Sequence, residues 1–247
     1  PDSIYHTIFT APFVEEIAKG IFLIFTVNSI KFDNITDGLV YGGAIGLGFG
    51  MTENFMYFIS YGDTLSAWIF LVILRSGFSA IMHCISTAIL GAFLGMAKFS
   101  LSPFKKILPI FGLIVAIVIH FLWNLSVSFD ETYLFGIIFM LLLIITFLVF
   151  FKYSIKKEAE IIENELSEEN LLNHFPAQHI KIISSDLRFR KGWVDESIRK
   201  HYFRTAIDLA FNKMQSRNTR GLQKQFYDYE INRKRELIKE YLSGIKI

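Results

Sequence analysis

Hydrophobic residues are concentrated in the first 151 positions, in long runs separated by short polar stretches. Five segments have the roughly 20 mostly apolar residues that a helix needs to cross a bilayer core of about 30 Å. They are 8–30, 38–62, 66–97, 107–129 and 134–151. The third segment is too long for one straight span and contains Arg75 followed by Ser76 and Gly77. We therefore predict a short re-entrant or interfacial piece over 66–75 and a span over 77–97.

The pattern changes after residue 151, where apolar residues recur at helical spacing among many charged ones. It predicts helices over 153–173, 193–214 and 222–242, with Pro176 ending the first. Asp195 is a candidate N-cap of the second helix. The apolar face of that helix consists of Ile198, Tyr202, Ala206, Leu209 and Ala210. The basic clusters at 188–191 and 233–235 could contact anionic lipid, but a solvated helical face explains them better.

The composition separates the same two regions. Hydrophobic residues make up 52% of the 247 positions, and charged residues only 19%, below the roughly 25% of an average domain. Residues 1–151 hold 6 Lys or Arg and 9 Asp or Glu, whereas residues 152–247 hold 19 and 14. The predicted fold class is all-α, with a polytopic transmembrane bundle of about five spans over 1–151 and a helical region over 152–247.

The same composition excludes several classes of protein. A chain this apolar is neither intrinsically disordered nor collagen-like, and it has no nucleic-acid-binding tail. Its single cysteine, Cys84, excludes a disulfide framework and a cysteine-rich zinc module. No segment has the form of a cleavable signal peptide. Because the numbering starts at Pro1 rather than at Met, we expect that further spans could precede it.

Five spans place the polar connections alternately on two sides of the membrane. One side collects the basic residues Lys31, Lys98, Lys105, Lys106, Lys152, Lys156 and Lys157. The other has Asp2, Asp63, Asp130 and Glu131 and no Lys or Arg. Because short loops rich in Lys and Arg stay in the cytoplasm, we predict that the first side, including the region after residue 151, is cytoplasmic.

Ionisable residues inside spans are costly, at about 2.5 to 3.5 kcal/mol each, so each needs a reason. The four spans that carry such polar residues contain Glu15, Glu16, Lys19, Glu53, Arg75, His83, His120 and Asn124. At about 1.5 Å per residue, the glutamates and histidines lie roughly 9–14 Å below the outer surface, in spans that run in opposite directions. This common depth predicts one polar site in the outer half of the bundle.

Helical spacing also predicts which of these residues face each other. Lys19 projects between Glu15 and Glu16, and Glu53 shares a face with Tyr57, as His120 does with Asn124. A ladder of small residues in the second span consists of Gly38, Gly42, Gly46 and Gly50, with Asn54 continuing the line. Such a ladder lets a neighbouring backbone approach closely, and we interpret it as packing.

Each polar residue also has a structural explanation when it is taken alone. A single intramembrane histidine is often a hydrogen-bonding packing residue, and Glu53 could accept hydrogen bonds from Tyr57 and a neighbouring helix. The Glu15–Glu16 pair could be a proton or cation site in a transporter. The combination favours a catalytic site, and the chain lacks the internal repeats typical of transporters.

The motifs themselves resemble the PrsW family of intramembrane proteases, relatives of the CPBP family that includes the CAAX prenyl proteases. Glu15, Glu16 and Lys19 form an EExxK motif, and Glu53, Asn54 and Tyr57 form an ENxxY motif. Arg75 and His83 follow, and residues 120–124 match HxxWN. The resemblance covers about residues 8–126. It departs from the commoner form at Thr52, where a Phe is usual.

This resemblance implies an intramembrane endopeptidase, of glutamic type or assisted by a metal, in a bacterial plasma membrane. The substrates of such proteins are membrane proteins, including membrane-spanning anti-sigma factors cut near the extracytoplasmic face. The implied partners are a membrane protein substrate and the lipid bilayer, with no nucleic acid. Residues 152–247 lie outside the resemblance, and their cytoplasmic partner is unassigned.

Peptide hydrolysis needs an activated water and stabilisation of the oxyanion, which suggests roles for the motif residues. We expect Glu15 or Glu16 to be the general base, His83 to orient the water or act as an acid, and His120 with Asn124 to form an oxyanion hole. Supporting roles fall to Lys19, Glu53, Asn54, Tyr57 and Arg75.

The sequence favours a site without a cofactor, because it has no HExxH motif and the two motif histidines, His83 and His120, lie on different spans. In the zinc-dependent alternative, the metal ligands would be Glu16, His83 and His120. A non-catalytic membrane chaperone or a proton-coupled transporter is the alternative from another class. Every motif residue is present, which favours the enzyme.

Overall fold

The structure is a computed structural model that describes residues 2–29, 32–61, 64–100 and 102–244. All regular structure in these ranges is helical, in agreement with the predicted all-α class. The chain divides between Lys152 and Tyr153 into two compact units. Lys31 and Asp63, which contribute to the predicted charge asymmetry, lie outside the described residues.

The first unit is built from helices in all five predicted spans. They are α1 (Asp2–Tyr5), α2 (Ala11–Val27), α3 (Ile35–Tyr61), α4 (Leu65–Leu74), α5 (Ala80–Lys98), α6 (Leu108–Val127) and the beginning of α7 (Tyr133–Leu171). A π-helical turn at His6–Thr10 joins α1 to α2. Short 3-10 turns at Pro103–Lys106 and Asp130–Thr132 precede α6 and α7.

Within the described residues, three helical runs are long and apolar enough to cross a membrane: Leu65–Lys98, Leu108–Val127 and Asp130–Leu171. The other two predicted spans correspond to α2 and α3. The helical run from Asp2 to Val27 contains Glu15, Glu16 and Lys19, and α3 contains six glycines as well as polar side chains. The count of five spans therefore stays a prediction.

The predicted discontinuity at Arg75 takes a different form from the one expected. The chain is helical without interruption from Leu65 to Lys98, and a π-helical turn at Arg75–Ser79 joins α4 to α5. The expected re-entrant piece over 66–75 is therefore wrong, since this segment is the first part of one continuous helical run. Its alternative position at the membrane interface stays a prediction. An extra residue in one turn re-aims the side chains near it, a feature frequent at functional sites.

The glycine ladder of α3 packs directly on the backbone of α5, as predicted. A Cβ atom at Gly38, Gly42 or Gly46 would lie 2.1, 2.4 and 2.0 Å from the carbonyl oxygens of residues 91, 87 and 83. These pairings run in opposite directions along the two helices, so α3 and α5 are antiparallel. The contact is reciprocal, because a Cβ atom at Gly91 would lie 2.0 Å from the Gly38 oxygen.

The second unit is a helical assembly with its own core. It contains the end of α7, followed by α8 (Ala177–Ile183), α9 (Glu196–Arg217) and α10 (Gly221–Ser243). The predicted helices 193–214 and 222–242 match α9 and α10, and the predicted helix 153–173 continues α7. Pro176 directly precedes α8, which periodicity did not predict. The Asp195 carboxylate caps α9 by accepting from the Ser197 amide at 2.8 Å, as predicted.

The core and the charges of this unit are largely as expected. On α9, Tyr202, Ala206, Leu209 and Ala210 are buried, and Ile198 is half-buried. The basic cluster of α10 is satisfied within the unit: Arg233 pairs with Glu230, Lys234 with Asp208, and Arg235 with the buried Glu169. A solvated helical face therefore describes Arg233, whereas Lys234 and Arg235 are half-buried and pair with other helices of the unit.

The glycine ladder predicts opposite effects for two glycines of α3. Gly38→Ala should destabilise the protein by about 1–3 kcal/mol, because its methyl group would overlap the α5 backbone. Gly48→Ala should stabilise it by up to about 1 kcal/mol, because a Cβ atom there meets nothing within 4 Å and alanine favours a helix. Thermal unfolding in detergent would measure both. An unchanged Tm for Gly38→Ala would contradict the close α3–α5 contact.

The buried His179 predicts a loss of stability in the second unit on mild acidification. Burial beside the rings of Trp193 and Tyr202 lowers the pKa of His179 below its ordinary value of 6.5. The unfolded state therefore binds more protons, so stability is complete above about pH 6.5 and falls as the pH drops below it. Hydrogen exchange of the α8 and α9 amides should show this between pH 7.5 and 5.5. His179→Gln should remove that part of the dependence, and an identical pH profile would contradict the assignment.

Candidate active site

Four helices bring the polar residues of the predicted spans together. Helix α2 contributes Glu15, Glu16 and Lys19, α3 contributes Glu53, α5 contributes His83 and α6 contributes His120. The side chains form one connected cluster, in which the rings of the two histidines meet edge to face with centroids 4.7 Å apart. The common depth read from the sequence thus corresponds to a single polar cluster.

Glu16 is the buried centre of this cluster. Its carboxylate oxygen Oε1 accepts from Lys19 Nζ at 2.5 Å and from Ser86 Oγ at 3.2 Å, and it lies 2.9 Å from Nδ1 of His120. The Glu16 and Lys19 side chains are 0% and 1% exposed. A fully buried carboxylate is stable only when charged and hydrogen-bonding partners surround it, and here they come from three helices.

His83 lies between a cation and a carboxylate. Its Nδ1 is 2.9 Å from Lys19 Nζ, and its Nε2 is 2.9 Å from Oε2 of Glu53. Because an ammonium group can only donate, we assign the lone pair to Nδ1 and the proton to Nε2, which donates to Glu53.

His120 has the corresponding arrangement with the other carboxylate. We assign its Nδ1–H as the donor to Glu16, which leaves the lone pair on Nε2. That nitrogen faces Glu15, with 3.8 Å between His120 Nε2 and Glu15 Oε2. Glu15 Oε2 is buried and has no hydrogen-bond partner among the described residues. Two hydrogen-bond acceptors, His120 Nε2 and Glu15 Oε2, therefore face each other.

The supporting residues Arg75, Asn54 and Tyr57 hold Glu53 in place beside the cluster. Arg75, at the start of the π-helical turn, forms an ion pair with Glu53 at 2.8 Å and donates from Nε to Oδ1 of Asn54 at 3.0 Å. Its guanidinium also lies over the ring of Tyr57, 3.5 Å from the centroid. The ENxxY motif and Arg75 thus form one unit that fixes the carboxylate facing His83.

The HxxWN motif divides between the cluster and the surrounding framework. Only His120 belongs to the cluster, whereas Trp123 donates to Ser79 Oγ at 3.1 Å. Asn124 donates from Nδ2 to the carbonyl oxygen of Thr7 at 2.8 Å, which attaches the turn before α2 to α6. The structure does not bring Asn124 into the hydrogen-bonded cluster, and its oxyanion role stays a prediction.

Two residues of the cluster were missed in the sequence. Ser86 donates to Glu16, and the ring of Phe49 lies 4.9 Å from Lys19 Nζ and 5.5 Å from the His83 ring. Their spacing was a usable signal, because Ser86 follows His83 by three residues and Phe49 precedes Glu53 by four. Both intervals place two side chains on one helix face.

The geometry fits a metal ion, with one change from the expected ligands. Glu15, His83 and His120 each offer a ligand atom, and these atoms all lie within 4.8 Å of one another. Glu16, the glutamate expected from the sequence, instead pairs with Lys19 and His120. His120 donates one N–H to a carboxylate and keeps a lone pair on Nε2, the arrangement typical of metal-ligating histidines. His83 also donates to a carboxylate, but its Nδ1 lone pair accepts from Lys19, so a metal ion bound there would replace the ammonium group.

The charge of the cluster supports the same conclusion. Three carboxylates face two cationic side chains, Lys19 and Arg75, so with neutral histidines the formal charge is −1. The ammonium of Lys19 already sits at the lone pair of His83 Nδ1. An excess negative charge in a poorly solvated site favours a further cation, either a proton or a metal.

Fold and site together define a helical membrane protein with a buried carboxylate–histidine centre. The family model described as PrsW family intramembrane metalloprotease matches residues 2–151, more than half of the chain. The chain belongs to the PrsW family of intramembrane proteases. This membership and the three long apolar helices identify it as an integral membrane protein.

Individual relatives agree with the family assignment. The chain is 31% identical over 125 residues to Protease PrsW of Oceanobacillus iheyensis, which is 50% of this chain and 55% of that protein. It is 29% identical over 119 residues to Protease PrsW of Bacillus subtilis, 48% of this chain and 52% of that protein. The chain thus spans about half the length of the curated relatives it matches. No solved structure matches it.

The geometry predicts that the two adjacent glutamates differ in their effect on stability. Glu16→Gln should destabilise the protein by about 3–5 kcal/mol, because it leaves the buried Lys19 ammonium without its carboxylate. Glu15→Gln should change stability by no more than about 1 kcal/mol, since its Oε2 has no hydrogen-bond partner in the described structure. Thermal unfolding would separate them, and Glu16→Gln combined with Lys19→Met should recover part of the loss. Equal Tm values for the two single variants would contradict this division.

Proposed function

We propose that the protein is an intramembrane endopeptidase that hydrolyses peptide bonds of membrane-anchored proteins, with a zinc ion held by Glu15, His83 and His120. The observation that carries the proposal is the convergence of three ligand atoms on one buried point. The PrsW family description, an intramembrane metalloprotease, supports it. A zinc ion bound by three protein ligands acidifies a water molecule and polarises a carbonyl group.

The chain's own residues hold this centre in one orientation. Glu16 fixes the ring of His120 through Nδ1, and Glu53 fixes the ring of His83 through Nε2. Arg75 in turn holds Glu53. Such outer carboxylates set the tautomer of a histidine and raise its basicity. Glu15, which at 20% side-chain exposure is less buried than the adjacent Glu16, is the carboxylate that faces the reacting groups.

We place the site toward the extracytoplasmic face of a bacterial plasma membrane, with residues 152–247 in the cytoplasm. The asymmetric distribution of lysines supports this topology. The substrates that we propose are single-span membrane proteins of the anti-sigma-factor type. The name of the relatives, Protease PrsW, supports the reaction class.

The first test of the function is cleavage of a panel of single-span reporters by purified protein in liposomes. We expect one zinc ion per chain, activity abolished by a chelator and restored by zinc. We expect at least a hundredfold loss in Glu15→Gln, His83→Ala and His120→Ala, because each removes a ligand. His201→Ala, a histidine of the second unit, is the matched control and should cleave normally.

Each other outcome selects a different mechanism or function. Chelator-resistant cleavage that still requires Glu15 would replace the metal by a glutamate-activated water. Full activity in all three ligand variants would contradict the assigned site. If the folded wild type left every reporter intact, the enzyme assignment would fail in favour of a chaperone or a proton-coupled transporter.

A further inference from the structure

A cavity of about 600 Å³ lies between α2 and α3, beside the candidate active site. Its walls are mostly apolar, with Phe22 from α2 and Met56 from α3 among the lining residues, and both side chains are exposed on the outside of the bundle. Its polar lining includes Lys19 and Glu53. The volume falls in the range of about 300–1,000 Å³ that is typical of ligand sites.

The cavity borders the candidate active site at these two polar residues. Lys19 Nζ and Glu53 Oε2 each lie 2.9 Å from a ring nitrogen of His83, one on either side of it. Glu53 keeps a quarter of its side chain exposed, although it is held by two cluster residues. A segment of chain in this cavity would therefore contact Glu53, a carboxylate that positions His83.

Gly48 shows that the cavity is open to the backbone of α3. The ladder glycines Gly38, Gly42, Gly46 and Gly50 all lie against α5, but a Cβ atom at Gly48 would meet nothing within 4 Å. An unpacked glycine inside a helix is unfavourable by about 1 kcal/mol relative to alanine, so its position lining the cavity suggests a use. A residue without a side chain lets another main chain approach closely.

We propose that this cavity, which we call the α2–α3 groove, binds an extended apolar segment of the substrate's membrane span and delivers it to the active site. The proposal rests on the proposed function and names its substrate-binding surface. Gly48 and Thr52, four residues apart on α3, set the width of the groove and thereby the side chains it accepts.

The polar floor favours a polypeptide over a lipid acyl chain as the occupant. An acyl chain would cover the partly exposed Glu53 carboxylate without offering it any hydrogen-bonding group, which is unfavourable in a desolvated site. An unwound peptide offers N–H groups to that carboxylate. These contacts also stabilise the bound substrate, because its backbone N–H and C=O groups need hydrogen-bond partners wherever it is not helical within the membrane.

Blocking the groove should impair cleavage without disturbing the catalytic centre. Gly48→Leu fills the space with a side chain that the fold accommodates, and we expect at least a tenfold loss of kcat/KM, mainly through KM, with zinc content and Tm preserved. Leu47→Phe adds bulk at the neighbouring position, which is exposed but outside the groove, and should stay within twofold of wild type.

A cross-linking measurement tests binding without requiring catalysis. The photoreactive residue benzoylphenylalanine would replace Met56 in the groove or Phe55 beside it, in a Glu15→Gln chain in liposomes. These two side chains are 61% and 62% exposed, so they differ in direction rather than in access. The probe is the single-span reporter that the wild type cleaves. We expect it to cross-link at position 56 at least fivefold more than at position 55.

The outcomes separate this inference from the proposed function. If the wild type cleaves the reporter while Gly48→Leu is equally active and the two positions cross-link equally, the groove inference is overturned and the protease assignment stands. Cross-links at position 56 to lipid alone would also overturn it. If the wild type cleaves no reporter, the proposed function itself fails.

Discussion

The structure of the first unit depends on burying one carboxylate among partners from other helices. Glu16 is inaccessible to solvent. Lys19 therefore balances the charge of its carboxylate, and Ser86 and His120 donate hydrogen bonds to it. A buried charge without such partners would destabilise the protein by several kcal/mol. This requirement fixes the rotation of α2 and its register against α5 and α6, and it determines which groups of the centre are left for chemistry.

Close backbone packing supplies the second half of the arrangement. The glycine ladder lets α3 approach α5 until Gly46 meets the His83 carbonyl oxygen, and about two turns further along α3 Glu53 reaches the His83 ring. With a larger residue at these positions, the carboxylate would lie too far away to orient the histidine. The ladder is thus a packing device with a consequence for the site, since it lets two outer carboxylates serve two histidines.

The two adjacent glutamates show how one motif can combine structure and chemistry. Glu16 points inward, where its Oε1 is hydrogen-bonded by Lys19, Ser86 and His120. Glu15 points toward Nε2 of His120, and its Oε2 has no hydrogen-bond partner in the described part of the chain. The glycines of α3 differ in the same way, since Gly48 lines the α2–α3 groove, whereas the ladder glycines on either side of it pack on α5. In both cases, residues of the same type differ by the direction in which the helix presents them.

Much of the fold and the membership of the polar cluster followed from the sequence alone. Helical periodicity and apolar length determined the main helices, and common depth identified Glu15, Glu16, Glu53, His83 and His120 as one group. Adjacent residues on a helix differ by about 100°, so the sequence could not decide which glutamate faces inward until the partner helices were placed. Only the tertiary structure showed that Asn124 donates to the Thr7 carbonyl oxygen, that the expected break at Arg75 is a π-helical turn, and that the groove is open at Gly48. Each depends on distances between helices that are remote in sequence.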